Sequence, residues 1–343
     1  MKETYCKVLS VALICSCVVL LCSCVRDAEL TYPNTPGGNF EALWTIIDQK
    51  YCFVEEKGVD WNAIHDEYAQ YIDTLRPNDY RGLFNTLADM LNCLNDGHVN
   101  LYSSFDISRC TGWYDGYPEN YNPALLSLYF GNNYKRAGGL SYNIIPGIAD
   151  TIGYIRYESF SNGFSSSNMY YVLEYFKRCK GIILDVRNNG GGSLEYSYAL
   201  ASTFMDETTH IGFWRHKTGP EHQALSDWEK LYVEENDMPV KWRKPVVILA
   251  NRRSYSATNM FVNCMKYAPR CCIMGGKTGG GGGMPLSYEL PNGWMVRFSS
   301  VKLYNADQQS IEEGIEPDTT VFLLSEDKDD IIEAAIQKIK EYD

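Results

Sequence analysis

From Asn39 the apolar residues of the chain recur every three or four positions: Phe40, Leu43, Trp44 and Ile47, then Ile64, Tyr68, Tyr71 and Ile72, then Leu83, Leu87, Met90, Leu91 and Leu94. This period puts one face of each segment on a core and predicts three amphipathic helices, a small N-terminal helical domain over residues 39–102. The third helix closes at Asn95-Asp96-Gly97-His98, where Gly97 suits a C-terminal cap and His98 opens a short strand, Val99 to Tyr102. Residues 103–148 are rich in Tyr, Gly, Asn and Pro and carry no period. They are expected to form connecting loops and short strands.

Beyond residue 148 the pattern alternates between strand and helix. Strands are expected at Ile152 to Tyr157, Gly181 to Val186, Pro245 to Ala250 and Cys271 to Met274, with a hairpin of Leu286 to Leu290 and Met295 to Val301 around Pro291-Asn292-Gly293. Helices are expected at Ser167 to Arg178, Ser193 to Met205, Ser256 to Tyr267 and Asp329 to Tyr342. The runs Gly181 to Val186 and Pro245 to Ala250 are continuously apolar, as strands covered on both faces must be. Residues 149–343 therefore read as an α/β domain around a buried sheet.

The first residues change the picture of where the chain works. Lys2 and Lys7 precede a 14-residue apolar run, Val8 to Leu21, which ends at Leu21-Cys22-Ser23-Cys24 and turns polar at Arg26-Asp27. The run is too short to span a bilayer and has the form of a signal peptide. The Leu-x-Ser-Cys ending resembles a bacterial lipobox, which implies cleavage after residue 23 and lipidation of Cys24. Residues 24–38, with Pro33, Pro36, Gly37 and Gly38, then form a tether to the membrane. The chain is expected to be an exported, membrane-anchored lipoprotein of the bacterial cell envelope, periplasmic or surface-facing.

Loss of residues 1–23 removes two lysines and one glutamate and takes the net charge from −12 to −13. So acidic a chain is a poor partner for nucleic acid. Of 12 cysteines, five lie in the leader region, and the other seven include no C-x-x-C pair, so neither a zinc site nor a disulfide framework is implied. No metal or cofactor is called for. Gly276-Lys277-Thr278 looks like the end of a P-loop, but the required upstream glycine position is Cys271, and five glycines with Met284-Pro285 follow where a helix should begin.

In open α/β sheets, ligands meet the chain where strands end and helices begin. Two such turns carry chemistry. Asp185-Val186-Arg187-Asn188-Asn189-Gly190-Gly191-Gly192-Ser193 lets backbone approach a ligand closely and aims helix-opening amides at negative oxygen. Ala250-Asn251-Arg252-Arg253-Ser254-Tyr255-Ser256-Ala257-Thr258 puts a serine at the first turn of a helix, either as a nucleophile near positive amide ends or simply as an N-cap.

Together, and in this order, the two turns resemble those of the tail-specific (C-terminal processing) protease superfamily, which includes the tricorn core protease and has a crotonase-like α/β fold. Gly275-Gly276-Lys277-Thr278-Gly279, Glu313-Gly314-Ile315-Glu316-Pro317-Asp318 and the Asp96-Gly97-His98 motif extend the likeness over residues 40 to 325. The resemblance implies a serine peptidase with Ser256 as nucleophile, and oxyanion donors from the amide of Ala257 and one in the Gly191-Gly192 pair. Where bacterial tail-specific members carry a lysine base, this chain has Gly281. Lys277 is the alternative base, but it stands four residues away, roughly 13 Å in extended chain. The tricorn-like branch uses a histidine instead, which implies His98 as base, titrating near the ordinary value of ~6.5. The same branch implies an assisting glutamate, Glu312 or Glu313. The other histidines, His65, His210, His216 and His222, read as solvated. The PDZ domain of many relatives is missing, because the roughly 50 residues between Val99 and Ala149 are too few to form one.

The substrate class implied is a peptide or protein. A rival reading is a non-catalytic ligand-binding lipoprotein on the same fold, since the superfamily includes retinoid binders and the 26 tyrosines and seven tryptophans suit an apolar or sugar ligand. An esterase could use the same apparatus, because serine attack and oxyanion stabilisation serve both kinds of acyl group.

Overall fold

The computed structural model describes residues 32–342 except 132, 148–150, 237 and 239. The expected signal peptide, with its lipobox-like ending and Cys24, lies outside the described residues. Chain order begins with three helices, α1 Pro36–Lys50, α2 Trp61–Ile72 and α3 Tyr80–Asn92. Each is started by a side chain that accepts from the first turn: Thr35 from the Gly38 amide, Asp60 from Ala63 and Asp79 from Gly82. Thr35 with Pro36 at the first helical position draws the end of the expected tether into α1.

Next come β1 Asn100–Tyr102, α4 Pro123–Phe130, β2 Lys135–Ala137 and β3 Leu140–Ile144. The α4 helix lies where only loops and short strands were expected, because an eight-residue, almost wholly apolar helix has no polar face to give it a period. There follow β4 Ile152–Tyr157, α5 Ser166–Phe176, β5 Gly181–Asp185, α6 Leu194–Ser202, β6 Thr209–His216, β7 Glu229–Val233, β8 Val246–Ala250, α7 Ala257–Met265 and β9 Cys271–Gly275. The chain ends with β10 Gly283–Glu289, β11 Met295–Tyr304, β12 Thr319–Thr320 and α8 Asp330–Lys340.

A seven-stranded sheet runs β12-β9-β8-β5-β4-β3-β2, parallel from β12 to β4 and antiparallel at β3 and β2. Every residue of β4, β5 and β8 is buried, which agrees with their continuous apolar sequences. One core joins this sheet to α5, α6 and α7. On the other face, Leu126 and Phe130 of α4 and Ile331, Ile332 and Ile336 of α8 cover Ile183, Val247 and Leu249. A mixed α/β architecture with a buried sheet is thus observed.

The second sheet positions His98. It is antiparallel, with β11 pairing β1, β10 and β6, and β7 beyond β6. Strands β6 and β7 were not foreseen from the sequence. The core of the three N-terminal helices includes Leu290, Trp294, Val296 and Phe298 from the β10–β11 hairpin, so the helical unit is completed by chain from the far end of the sequence. Because β1 pairs with the start of β11 through Asn100 and Arg297, His98 is delivered from the helical unit to the edge of the catalytic turns. Among the described residues, no helix is long and apolar enough to cross a membrane, and all seven cysteines are unpaired.

Candidate active site

The two Gly- and Ser-bearing turns leave adjacent parallel strands, β5 and β8, and are cross-tied by buried polar groups. Ser254 is fully buried; its Oγ donates to Val186 O at 2.8 Å and accepts from the Asn251 amide at 3.1 Å. The Tyr255 amide donates to Asn189 O at 3.1 Å. On the next residue the backbone turns into the left-handed region: Ser256 has φ of 59° and ψ of −120°. A non-glycine residue there is strained by about 1–3 kcal/mol and persists only where its surroundings over-determine it. Its amide donates to Gly280 O at 2.8 Å, and α7 begins one residue later.

Ser256 occupies the N-cap position of α7 yet makes no side-chain cap hydrogen bond. Its Oγ lies 2.9 Å from His98 Nε2 instead. The cap interpretation of this serine is thereby set aside. On the other side of the ring, His98 Nδ1 is 3.4 Å from Ser299 Oγ on β11. Burial, reinforced by the Arg297 and Lys57 charges and only partly opposed by Asp96, pushes the imidazole down to about 4. This differs from the expected value near ~6.5, because His98 is only 3 % exposed and the ordinary figure belongs to a solvated ring.

The Ala257 amide opens α7, where first-turn N–H groups have no intrahelical acceptor. Facing it, a Cβ on Gly191 would fall 2.9 Å from the Ala257 nitrogen and 2.9 Å from Ser256 Cβ, so only glycine permits this approach. The Gly191 amide itself donates to Asn189 Oδ1 at 3.0 Å. Phe160 accepts from Ser193 at 3.1 Å and donates to Gly191 O at 2.9 Å, a ladder that skips the Gly192 amide. Of the Gly191-Gly192 pair, Gly192 is therefore the one whose N–H neither of these contacts uses.

The carboxylates stand elsewhere than the resemblance implied. Glu312 Oε1 is 2.7 Å and Glu313 Oε1 is 3.4 Å from Lys57 Nζ, and neither makes a hydrogen bond to His98 among those described. Burial and the neighbouring Asp96 anion push Glu312 up to about 8, and its Oε2 is buried with no hydrogen-bond partner among the described residues. Lys277 Nζ pairs with Glu316 at 3.0 Å, on the rim. At Gly281, φ is 72° and a Cβ would meet the Tyr255 ring at 2.5 Å, so the position matched to the lysine base is closed by an aromatic side chain.

Three residues that sequence reasoning assigned no role complete the surroundings. Asp96 accepts from the His98 amide at 2.7 Å, the Tyr51 hydroxyl at 2.7 Å and the Tyr255 hydroxyl at 3.1 Å. Burial opposes its ionisation, but Lys57, His98 and the hydrogen bonds from Tyr51 and the His98 amide hold it below the usual carboxylate range. Asp96 was visible inside the Asp96-Gly97-His98 motif and Tyr255 inside Ser254-Tyr255-Ser256. Lys57 had no such signal. A polar cavity of about 270 Å3 is bordered by Lys57, Asp96, Trp113, Tyr255, Gly281 and Glu312. A larger one, about 880 Å3 between α5 and α6, contains none of these side chains.

Asp185 and Arg187 of the glycine turn are structural. Arg187, with no exposure, pairs with Asp185 at 2.7 Å and with Asp329 at the start of α8 at 2.9 Å. Among the described residues no cluster of three or more His, Cys, Asp or Glu side chains is placed to hold a metal ion.

A strained serine at a helix start, a buried imidazole on its hydroxyl and glycine-flanked amides beside it form the constellation of a serine hydrolase. Comparisons with known proteins specify the lineage. Residues 151–321 match the peptidase family S41 model, and residues 32–92 match that of the tricorn protease C1 domain. A crystal structure named as a "putative peptidase" from Parabacteroides merdae is 44 % identical, covers 89 % of this chain and 96 % of its own, and superposes with a TM-score of 0.83. The chain belongs to peptidase family S41. The "Probable CtpA-like serine protease" of Staphylococcus aureus is 28 % identical over 172 residues, 50 % of this chain. This chain spans about a third of that relative's length (33 %). Mature CPAF, at 15 % identity and a TM-score of 0.66 over 90 % of this chain and 98 % of its own, shares the fold.

Proposed function

We propose that this chain is a serine peptidase that hydrolyses peptide bonds through an acyl-enzyme on Ser256, with His98 as general base. The observation that carries the reading is the 2.9 Å contact between His98 Nε2 and Ser256 Oγ. A neutral imidazole, as burial enforces here at pH 7, is the form that accepts a proton. With Nε2 as acceptor, the ring proton sits on Nδ1, facing Ser299 Oγ.

In the acylation step Ser256 Oγ bonds to the substrate carbonyl carbon while its proton passes to His98 Nε2. The carbonyl oxygen becomes an oxyanion held by the Ala257 amide and the Gly192 amide. Collapse of the tetrahedral intermediate breaks the C–N bond, and the Nε2 proton goes to the departing amine. Water then repeats the sequence on the acyl-enzyme, giving up a proton to His98 and releasing Ser256. Glu312 and Glu313 pair with Lys57 rather than with the imidazole.

The test is labelling of Ser256 by a fluorophosphonate. Wild type is expected to take one label per chain and Ser256→Ala none, with hydrolysis of a denatured protein substrate lower by about 10^3-fold or more. An unlabelled wild type would defeat the reading and favour the ligand-binding alternative. We further propose that Cys24 anchors the protein in the envelope membrane as a lipoprotein. Cys24→Ser should then move it from the membrane to the soluble fraction, and equal retention of the variant would remove the anchor.

A further inference from the structure

We propose that Asp96 is a positioning residue of this site: its buried carboxylate holds the base and the residue preceding the nucleophile in register. The proposal rests on the Ser256–His98 reading and adds a residue to it. Asp96 is 2 % exposed. Its donors come from three different parts of the fold. Tyr51 follows α1 and reaches Oδ2; the His98 amide and the Tyr255 hydroxyl both reach Oδ1. One oxygen thus links the backbone of the base to the side chain next to Ser256.

Tyr255 has no freedom to absorb a displacement of that oxygen. Its ring is stacked on Trp113 at 4.2 Å, lies 4.9 Å from the His98 ring and fills the space at Gly281, while its amide is tied to Asn189 in the glycine turn. A shift of Asp96 is therefore passed to Tyr255 and, through one peptide unit, to Ser256. An error of about 1 Å between nucleophile and base is enough to cost a large part of the rate.

The charge acts separately from the tether. His98 is faced by Asp96 from its own loop, by Lys57 from the segment after α1, by Arg297 and Ser299 from β11, and by Tyr255 and Ser256 from the β8–α7 turn. Glu312 faces Lys57 and Asp96. Asp96 is the one anion acting on the ring among these groups, set against the two cations Lys57 and Arg297. Asp96→Asn removes the anion and keeps an acceptor oxygen for the His98 amide and the Tyr255 hydroxyl. The imidazole then becomes a weaker base, and transfer of the serine proton slows.

The experiment measures the rate of fluorophosphonate labelling in the full chain by brief pH jumps between pH 3 and 8, for wild type, Asp96→Asn and Tyr255→Phe, with a thermal melt of each. For Asp96→Asn we expect the maximal labelling rate to fall by about tenfold or more, with the inhibitor affinity unchanged and the acid limb displaced to lower pH. Tyr255→Phe, which loses the tether and keeps the anion, should slow labelling without moving the limb. An Asp96→Asn variant with the wild-type maximal rate overturns the proposal. So does one whose loss of label follows only its loss of folded protein while the limb stays in place, because that is what a purely structural residue would do. Where acid unfolding hides the limb, the separation of maximal rate from affinity at pH 7 decides by the same criterion. A wild type that never labels overturns the hydrolase reading itself, and the role of Asp96 with it.

Discussion

The acidity of His98 offers the sharpest quantitative test of the site. A solvated histidine titrates near ~6.5, whereas this one is pushed down to about 4, chiefly by burial. The base works only when neutral, so activity is present above the folded value and lost as pH falls through it. At pH 5.5 roughly 97 % of a group titrating at about 4 is neutral, against roughly 9 % of one titrating at ~6.5. Labelling of Ser256 should therefore be nearly as fast at pH 5.5 as at pH 7.5, and should halve only near pH 4. The same displacement acts on stability. Between ~6.5 and about 4 the unfolded chain holds a proton on this residue that the folded chain refuses, so the folded state loses stability as pH falls across that window. The loss amounts to about 3 kcal/mol at most and is complete below pH 4. Urea unfolding of wild type and of His98→Gln at pH 7 and pH 4.5 isolates it, because the variant lacks the titrating group. A labelling midpoint at pH 6 to 7, with no difference between the two proteins in the pH dependence of stability, would refute the claim that the imidazole is desolvated.

Three further outcomes follow from the neighbouring contacts. Ser254→Ala removes a buried hydroxyl that bridges Val186 O and the Asn251 amide, so chemical denaturation should show a loss of about 1–3 kcal/mol while the folded fraction still labels at Ser256. Lys277→Ala breaks only a rim pair with Glu316, worth at most about 1 kcal/mol, and should leave the labelling rate within about twofold; an inactive variant would restore lysine as the base. Arg187→Met leaves Asp329 buried without this cation and Asp185 with only Arg156 at 3.5 Å, and should cost about 3–5 kcal/mol in a denaturation midpoint series, whereas a loss below about 1 kcal/mol would show that the pairing is not structural.

Much of the main sheet was legible because its strands are short, wholly apolar and separated by helices of clear period. β5 and β8 lie within a residue of their expected limits, and the hairpin around Gly293, whose φ is 83°, was marked by its turn residues. The second sheet was not legible as a sheet. β6 and β7 alternate only weakly between buried and exposed, and β11 pairs β10 and, at different points along its length, β1 and β6. Nothing local in residues 40–94 shows that their core is closed by Val296 and Phe298, because a contact across two hundred residues leaves no period in either segment.

The same distinction between local and distant information explains the site. Ser256 and His98 stand in short motifs that resemble those of known peptidases, and the structure puts their side chains 2.9 Å apart. The expected glutamate stands away from the imidazole for a reason that no motif contains: Lys57, from the segment after α1, reaches Glu312 at 2.7 Å. The glycine at 281 is more telling. Read as sequence it was a missing lysine, which turned the choice of base to His98, with Lys277 as the alternative. Read in the fold, it is the space that the Tyr255 ring requires in order to donate its hydroxyl to Asp96. A lysine at that position and a tyrosine at 255 are sterically exclusive in this backbone. On the reading proposed above, the absence of the lysine and the placing of His98 are therefore one arrangement, in which the aromatic ring that excludes a side chain at 281 also packs 4.9 Å from the His98 ring.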